Sequence, residues 1–304
     1  MSGRKPNIGS ACRHRGWPVC GRLDVLPDIT DPFFPSIIKP FQEEMLLQGY
    51  QTILNTYGNE LGLEIEQVKT LANKRIDGLV IVTSNKDGAH IQVCLDEGIP
   101  VIQLDRIVED LACDSVTIDN YYAVYDAISV AIRKGHTKIA YIRGQNIYTE
   151  NERFNGFKAA LSENGIEIRD EYMIRAELVE HDAARQFMRL MNLSDSPTLI
   201  FCSNIYSALG ALEAMLEYRI KVPQDVSVMT FDKVSSFPHY GFTQSIHPQF
   251  ASIFQPTEKL GITTAELLLK RIKNGLMDYK PINIELKTSF YMTNSVSDIT
   301  ITGN

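Results

Sequence analysis

Ile139-Ala-Tyr-Ile142, followed by Arg143-Gly144 and then Asn151-Glu-Arg-Phe-Asn-Gly-Phe157, decides how this chain reads. The apolar run is that of a strand covered on both faces. It passes into a loop carrying an arginine, and then into a helix over Phe157–Asn164. The Arg153–Phe157 spacing puts a guanidinium at the start of that helix while Phe157, one turn on, anchors it. A planar fork of donors held at a strand's carboxyl end recognises paired oxygens, on a sugar or a carboxylate. Alone, the stretch reads equally as a surface arginine in an ordinary α/β loop; the rest of the chain supplies matching parts in order.

Upstream, Phe33–Gln48 reads as a helix with Ile37, Ile38, Phe41, Met45 and Leu46 on one face and Gly49 at its end. Pro40 inside it predicts a kink unless it lies in the first turn or so. Tyr50–Asn55 is a strand, Leu61–Lys74 a helix and Gly78–Thr83 a continuous apolar strand. His90–Glu97 is a helix closed by Gly98, Pro100–Leu104 a strand ending at Asp105-Arg106, Val116–Ile118 a short strand, and Tyr121–Lys134 a helix stopped by Gly135. Downstream come strands at Met173–Arg175, Thr198–Cys202, Val226–Phe231 and Ile282–Leu286, and helices at His181–Met191, Ala208–Tyr218 and Glu258–Asn274. Such alternation means right-handed βαβ crossovers and parallel sheets. The reading is an α/β fold with two sheets of about five strands each. Its expected parts are an irregular arm over 1–22, punctuated by Gly and Pro; a first lobe of 23–143 plus 256–277; and a second of 144–255 plus 278–304.

Composition narrows the function. At 304 residues the chain fits two lobes, and 44% hydrophobic with 22% charged residues is a soluble globular balance. A net charge of −7 argues against a large nucleic-acid surface, which needs clustered Lys and Arg. Five cysteines (Cys12, Cys20, Cys94, Cys113, Cys202) without close CxxC spacing argue against a disulfide framework and for a reducing cytoplasm. Cys12, His14 and Cys20 lack the further ligand of a zinc site, so no metal is expected. No run approaches the ~18 apolar residues of a membrane span, and the basic start has no apolar core of a secretory signal. No GxSxG, P-loop or GxGxxG follows a strand, so neither an enzyme nor a cofactor is expected. His136, after Gly135, reads as a helix-end residue rather than a base.

Ligands of open parallel sheets sit beyond the strands' carboxyl ends. Reading only those ends collects Asp31, Phe33, Phe34, Thr83, Asp105, Arg106, Arg153, Asn204, Asp232 and Gln255. The types suit a polyol. Carboxylates accept from paired hydroxyls, arginines donate to ring or hydroxyl oxygens, and amides do both. Phe33 or Phe34 can cover the C–H face of a sugar ring. Other roles stay open: Asp105-Arg106 as a strand-end salt link, Phe33-Phe34 as core, Asp232 as an N-cap.

The stretches Asp31-Pro-Phe-Phe, Arg75-Ile-Asp-Gly-Leu-Val-Ile, Gly98-Ile-Pro-Val-Ile-Gln-Leu-Asp-Arg, Val116-Thr-Ile-Asp-Asn and Gly135-His-Thr-Lys-Ile-Ala-Tyr-Ile-Arg-Gly carry a resemblance. Arg153-Phe-Asn-Gly-Phe, Phe201-Cys-Ser-Asn, Ala208-Leu-Gly-Ala-Leu, Val222-Pro-Gln-Asp-Val-Ser-Val and Gln255-Pro continue it. From about Leu23 to about Val296 the chain resembles the effector-binding core of the lac/galactose repressor family of bacterial transcription regulators, a core shared with periplasmic sugar-binding proteins. The resemblance implies two Rossmann-like lobes joined by a multi-strand hinge (the type I periplasmic binding protein fold), a sugar or nucleobase effector in the cleft, and a side-by-side homodimer. By position, Phe33, Phe34, Asp105, Arg106, Arg153, Asn204, Asp232 and Gln255 fall on the family's ligand contacts.

Three departures stand out. Only Lys5-Pro6-Asn7 is similar to the close of the family's DNA-reading headpiece, so operator binding is expected only of a full-length form that carries one. The residue after Asn204 is Ile205, where the family has an acid. Lys233–Ile253 is rich in aromatic and His residues (Phe237, His239, Tyr240, Phe242, His247, Phe250), expected either to shape one side of the cleft mouth or to pack as a surface loop. The favoured reading is a cytoplasmic allosteric sensor of a sugar or sugar derivative, with no membrane partner. The alternative is a sugar-binding protein of a transport system with the same fold.

Overall fold

The computed structural model describes residues 21–74, 76–84, 86–177, 180–236, 245, 249–276 and 279–300. Cys12, His14, Cys20, Lys5-Pro6-Asn7 and most of the aromatic segment after Lys233 lie outside the described residues.

The chain divides into two compact units, the first running to Thr117 and resuming over Thr257–Ile284, the second made of Ile118–Pro256 and the residues from Glu285. Both are α/β, as expected. The first unit begins with β1 (Gly21–Leu26), two residues inside the expected arm, and α1 (Phe33–Leu47), which runs through Pro40 without ending there. β2 (Gln51–Thr56), α2 (Leu61–Asn73), β3 (Leu79–Ile81), α3 (Ala89–Asp96), β4 (Val101–Leu104) and β5 (Asp114–Ile118) follow. α8 (Thr257–Asn274) and the first half of β11 (Asn283–Leu286) return to this unit from the far end of the chain. The order β11-β5-β4-β3-β1-β2 has parallel pairing from β2 through β5. β1 therefore has β2 on one side and β3 on the other, and the direction of winding reverses between β1 and β3. That reversal opens a crevice at the carboxyl ends.

The second unit repeats the plan. α4 (Asn120–Arg133), β6 (Ile139–Arg143), α5 (Tyr148–Glu163), β7 (Met173–Arg175), α6 (Glu180–Met191), β8 (Leu199–Cys202), α7 (Ile205–Glu217), β9 (Ser227–Phe231), β10 (Ala251–Phe254) and β12 (Ser289–Tyr291) give the order β12-β10-β9-β8-β6-β7. The switch falls between β6 and β8. β12 runs antiparallel on β10, the other pairs are parallel. Fully buried Tyr141, Phe157, Phe187, Phe201 and Phe231 fill this core.

Each unit has one helix pair brought together by a glycine. A Cβ on Gly156 of α5 would lie 2.1 Å from the Tyr121 carbonyl oxygen of α4, and one on Gly261 of α8 would lie 2.3 Å from that of Ile37 in α1. At such separations only hydrogen fits, so backbone packs on backbone.

The structure corrects the expected lobe limits. The first unit ends at Thr117, not 143, because α4 lays Val124, Ala127, Ile128 and Ala131 inward beside α5, and β6 pairs with β7 and β8. β11 belongs to the first sheet rather than the second lobe: the Ser115 N–H donates to the Ile282 carbonyl (3.0 Å), and the Ser115 hydroxyl donates to Asn283 Oδ1 (2.9 Å). Among the described residues each sheet has six strands rather than five.

Candidate functional site

At the switch of the first unit, the loop after β1 turns on Asp31, whose Oδ1 accepts from the Phe33 N–H at 3.0 Å. That bond shapes the entry to α1, which Pro32 precedes as the N-cap residue. Phe33 and Phe34 are buried and meet edge to face with ring centroids 5.2 Å apart. Asp105, directly after β4, takes a left-handed backbone (φ 65°), a conformation that Asp tolerates better than most residues and that costs energy elsewhere in a fold. Asp105 and Arg106 are 5% and 7% exposed, and Arg106 Nε lies 3.7 Å from Asp105 Oδ2. Among the described residues, Arg106 Nε and Nη1 are buried without a hydrogen-bond partner. Donors so placed have hydrogen-bonding capacity that the described residues do not use.

Behind β3 lies a cluster that sequence reading missed, apart from Thr83. Glu64 of α2 is wholly buried, and its carboxylate gathers four donors. Oε1 accepts from the Thr83 hydroxyl and faces His90 Nε2 at 2.8 Å; Oε2 accepts from the Ser84 N–H (3.1 Å) and the Ser84 hydroxyl (2.9 Å). Burial pushes this carboxyl up, but those hydrogen bonds outweigh it and hold Glu64 below its ordinary range. A signal existed: Glu64 shares the inward face of α2 with Val68, Leu71 and Ala72 at i+4, i+7 and i+8.

In the second unit Arg153 is not at a helix start. α5 opens at Tyr148, so Arg153 sits in its second turn, 7% exposed. The correction follows from the residues: Thr149, Glu150 and Arg153 are polar yet face inward, so the first turns carry no apolar period to read. Arg153 Nε donates to Asn120 Oδ1 (2.8 Å), Nη1 donates to the Ser203 carbonyl (2.9 Å), and the guanidinium carbon lies 3.5 Å from the centre of the Phe231 ring. Two of these ties bridge α5 to the ends of β8 and β9, across the switch.

Asp232, directly after β9, mirrors Asp105 with φ 72°. Its Oδ1 accepts from Gln255 Nε2 at 2.7 Å, while Gln255 Oε1 is buried without a partner among the described residues. It is not an N-cap. Burial pushes the Asp232 carboxyl up against the lowering pull of Arg153 and Gln255. Glu150 behaves alike: burial raises it, though Ser203 Oγ (2.7 Å) and the Tyr141 hydroxyl (2.9 Å) donate to it and Arg153 lies near. One guanidinium thus serves two buried acids. Asn204 caps α7 through a box, its Oδ1 accepting from the Ser207 N–H at 2.9 Å, and Ile205 beside it is buried. His136 is wholly buried between Thr198 Oγ1 (2.9 Å, at Nδ1) and the Ser297 carbonyl (3.2 Å, at Nε2), and burial lowers its pKa.

The structure therefore groups Arg153, Asp232 and Gln255 in one unit and Asp105 with Arg106 in the other. Asn120, Glu150, Tyr141 and Phe231 join the former although sequence reading did not name them.

Residues 23–293 match the family model described as periplasmic binding proteins and the sugar-binding domain of the LacI family. The chain belongs to this family. Among curated relatives of this LacI-type core, catabolite control protein A of Priestia megaterium is 24% identical over 268 residues, 88% of this chain and 79% of that protein. The transcriptional repressor PurR of Actinobacillus pleuropneumoniae is 28% identical over 269 residues, covering 88% and 78%. A solved LacI family transcriptional regulator from Enterococcus faecium with bound ribose superposes with a TM-score of 0.77 at 26% identity, over 91% of this chain and 99% of that one. The transcription regulator CcpA of Lactococcus lactis gives 0.78 at 25% identity, covering 92% and 100%. These LacI-type relatives are transcription regulators, not enzymes. Among the described residues no helix is long and apolar enough to cross a membrane.

Proposed function

We propose that this chain is the effector-binding core of a LacI-type bacterial transcription regulator, with a sugar or sugar derivative as effector. It works by binding, in the cytoplasm, and closure of its two units on the effector sets how tightly the full-length regulator holds operator DNA. Asp31, Phe33, Phe34, Thr83, Asp105 and Arg106 of the first unit and Arg153, Asn204, Asp232 and Gln255 of the second are its proposed contacts.

The observation that carries the reading is the recurrence, at the carboxyl ends of both sheets, of a left-handed aspartate (Asp105, Asp232) beside buried polar atoms with unused hydrogen-bonding capacity (Arg106 Nε and Nη1, Gln255 Oε1). A polyol offers both donors and acceptors to such a set. The ribose bound to the Enterococcus faecium regulator supports the ligand class.

The core is also proposed to act as a homodimer. Support comes from Leu46, Leu47 and Ile53, which are 67%, 79% and 49% exposed on α1 and the adjacent edge strand β2. Apolar side chains beside an open strand edge favour burial against another copy.

Thermal-shift screening against a panel of sugars tests the function. A specific sugar at 100 times its dissociation constant adds about 2.7 kcal/mol of stability. A panel of pentoses, hexoses, disaccharides and their acids and phosphates without a single saturable shift refutes it.

A further inference from the structure

We propose that His136 is a latch: while its ring is neutral it holds Ser297–Thr300 against the second unit, and on taking up a proton in mild acid it lets that segment open while the sheet beneath stays folded. These residues follow β12 and belong to no helix or strand. They run past the amino ends of the strands, opposite to Asn204, Asp232 and Gln255, so the inference is independent of the function proposed above. Ser295 anchors the segment without any titratable group. Its carbonyl accepts from the Val228 N–H (3.0 Å), and its hydroxyl donates to the Val228 carbonyl (2.7 Å) and accepts from the Ala251 N–H (2.7 Å). Beyond Ser295 the imidazole takes part. The Ser297 N–H donates to Ser227 Oγ (3.0 Å), the Ser297 carbonyl lies 3.2 Å from His136 Nε2, and the Ile299 N–H donates to the Lys134 carbonyl (2.9 Å). A Cβ on Gly135, beside His136, would lie 3.0 Å from Ile299 and 3.1 Å from Thr300, so the segment lies directly over the turn that carries the ring.

The tautomer follows from the partners. A carbonyl only accepts, so Nε2 carries the hydrogen, and Nδ1, 2.9 Å from Thr198 Oγ1, accepts that of the hydroxyl. On protonation the Thr198 hydroxyl can turn to the Lys138 carbonyl, 3.2 Å away, and accept from Nδ1. The hydrogen bonds therefore survive, and the cost is that of a charge. His136 is wholly buried, and burial is the largest influence that holds its pKa below the ordinary value. Lys134 of α4 opposes the imidazolium and Asp298 of the segment favours it, the two lying 4.0 Å apart, while Lys138 is turned to Asp195. Opening of Ser297–Thr300 uncovers the ring from the Nε2 side and gives the cation water. Because the docked value lies below that of a free imidazole, docking is at full strength above about pH 6.5 and weakens as pH falls from there toward the docked value.

Hydrogen–deuterium exchange of the whole chain tests this, on wild type and His136→Gln at pH 5.5 and pH 7.5, with rates corrected for the intrinsic pH dependence of amide exchange. The reporters are the hydrogen-bonded N–H groups of Ser297 and Ile299, set against those of β8 and β9. In wild type, opening of 297–300 rises by about threefold or more at pH 5.5, toward the limit of about tenfold that one proton sets over one pH unit, while β8 and β9 keep their protection. In His136→Gln, whose amide donates to the Ser297 carbonyl but does not titrate, the rise stays below about threefold. A wild-type rise below that mark overturns the proposal, as does an equal rise in His136→Gln. Equal loss of protection in β8 and β9 also overturns it, being acid unfolding of the whole unit. If His136→Gln does not fold, long-range proton–nitrogen spectra of wild type labelled at its six histidines decide. One imidazole that is neutral and protonated at Nε2 at pH 7.5, and titrates in step with opening of 297–300, upholds the latch; none of the six doing so overturns it.

Discussion

Replacing Arg153 by Met, which keeps length and removes charge, should destabilise the protein by an amount that grows with pH. Arg153 makes two hydrogen bonds, to Asn120 Oδ1 and the Ser203 carbonyl, and covers the Phe231 ring. It also lowers the pKa of both Glu150 and Asp232, which burial nevertheless holds above their ordinary values. Both acids have folded pKa values above their unfolded ones, so ionising them costs stability as pH rises from the unfolded value to the folded one. Without Arg153 that window extends upward and the cost deepens. With both acids protonated, what remains is two orphaned acceptors, about 1–3 kcal/mol. With both ionised and the nearby guanidinium gone, the cost is roughly 3–5 kcal/mol, the scale of a buried charge left uncompensated. Urea unfolding followed by far-UV circular dichroism at pH 5 and pH 7.5, on wild type and Arg153→Met, measures the difference. A cost below about 1 kcal/mol at pH 7.5, or one that does not grow between the two pH values, would refute the view that one guanidinium compensates two acids.

Gly156→Ala should destabilise despite the roughly 1 kcal/mol that alanine gains over glycine within a helix, because its Cβ would lie 2.1 Å from the Tyr121 carbonyl oxygen. Overpacking of about 1–3 kcal/mol wins, seen as a lower melting temperature. Asp232→Asn should raise the melting temperature at neutral pH: asparagine accepts the left-handed backbone, keeps an acceptor for Gln255, and removes a charge that burial disfavours. A fall in melting temperature would mean that Arg153 gains more from Asp232 than burial costs. Leu47→Lys with Ile53→Lys should convert the proposed dimer to monomer in sedimentation velocity, with the circular dichroism spectrum unchanged.

The order of helices and strands was legible because local rules and tertiary packing agree there. Gly49, Gly98 and Gly135 end their helices with φ of 79°, 74° and 92°, where a side chain would be strained. The apolar runs at Leu79–Ile81 and Ile139–Arg143 are central strands. What stayed hidden is polar and inward-facing. Thr149, Glu150 and Arg153 give α5 a start that looks solvent-exposed in sequence, and Glu64 reads as one more surface acid on α2. Their burial depends on partners tens of residues away: Ser203 for Glu150, His90 for Glu64. The unit boundaries failed for a related reason. Whether α4 and β11 join one sheet or the other is settled by packing across the chain, which no local pattern encodes. Of the proposed site, the strand-end residues were legible as candidates because topology fixes where ligands sit, whereas the residues holding them were not.

Strand ends of both units are proposed to serve one hydroxylated effector. Titration calorimetry of the tightest-binding sugar with wild type, Arg106→Met in the first unit and Asp232→Asn in the second tests it most directly. Each variant should fold and should bind that same sugar roughly 10- to 150-fold more weakly, the loss of a hydrogen bond to a charged group at about 1.5–3 kcal/mol. Wild-type affinity in either variant would contradict the claim.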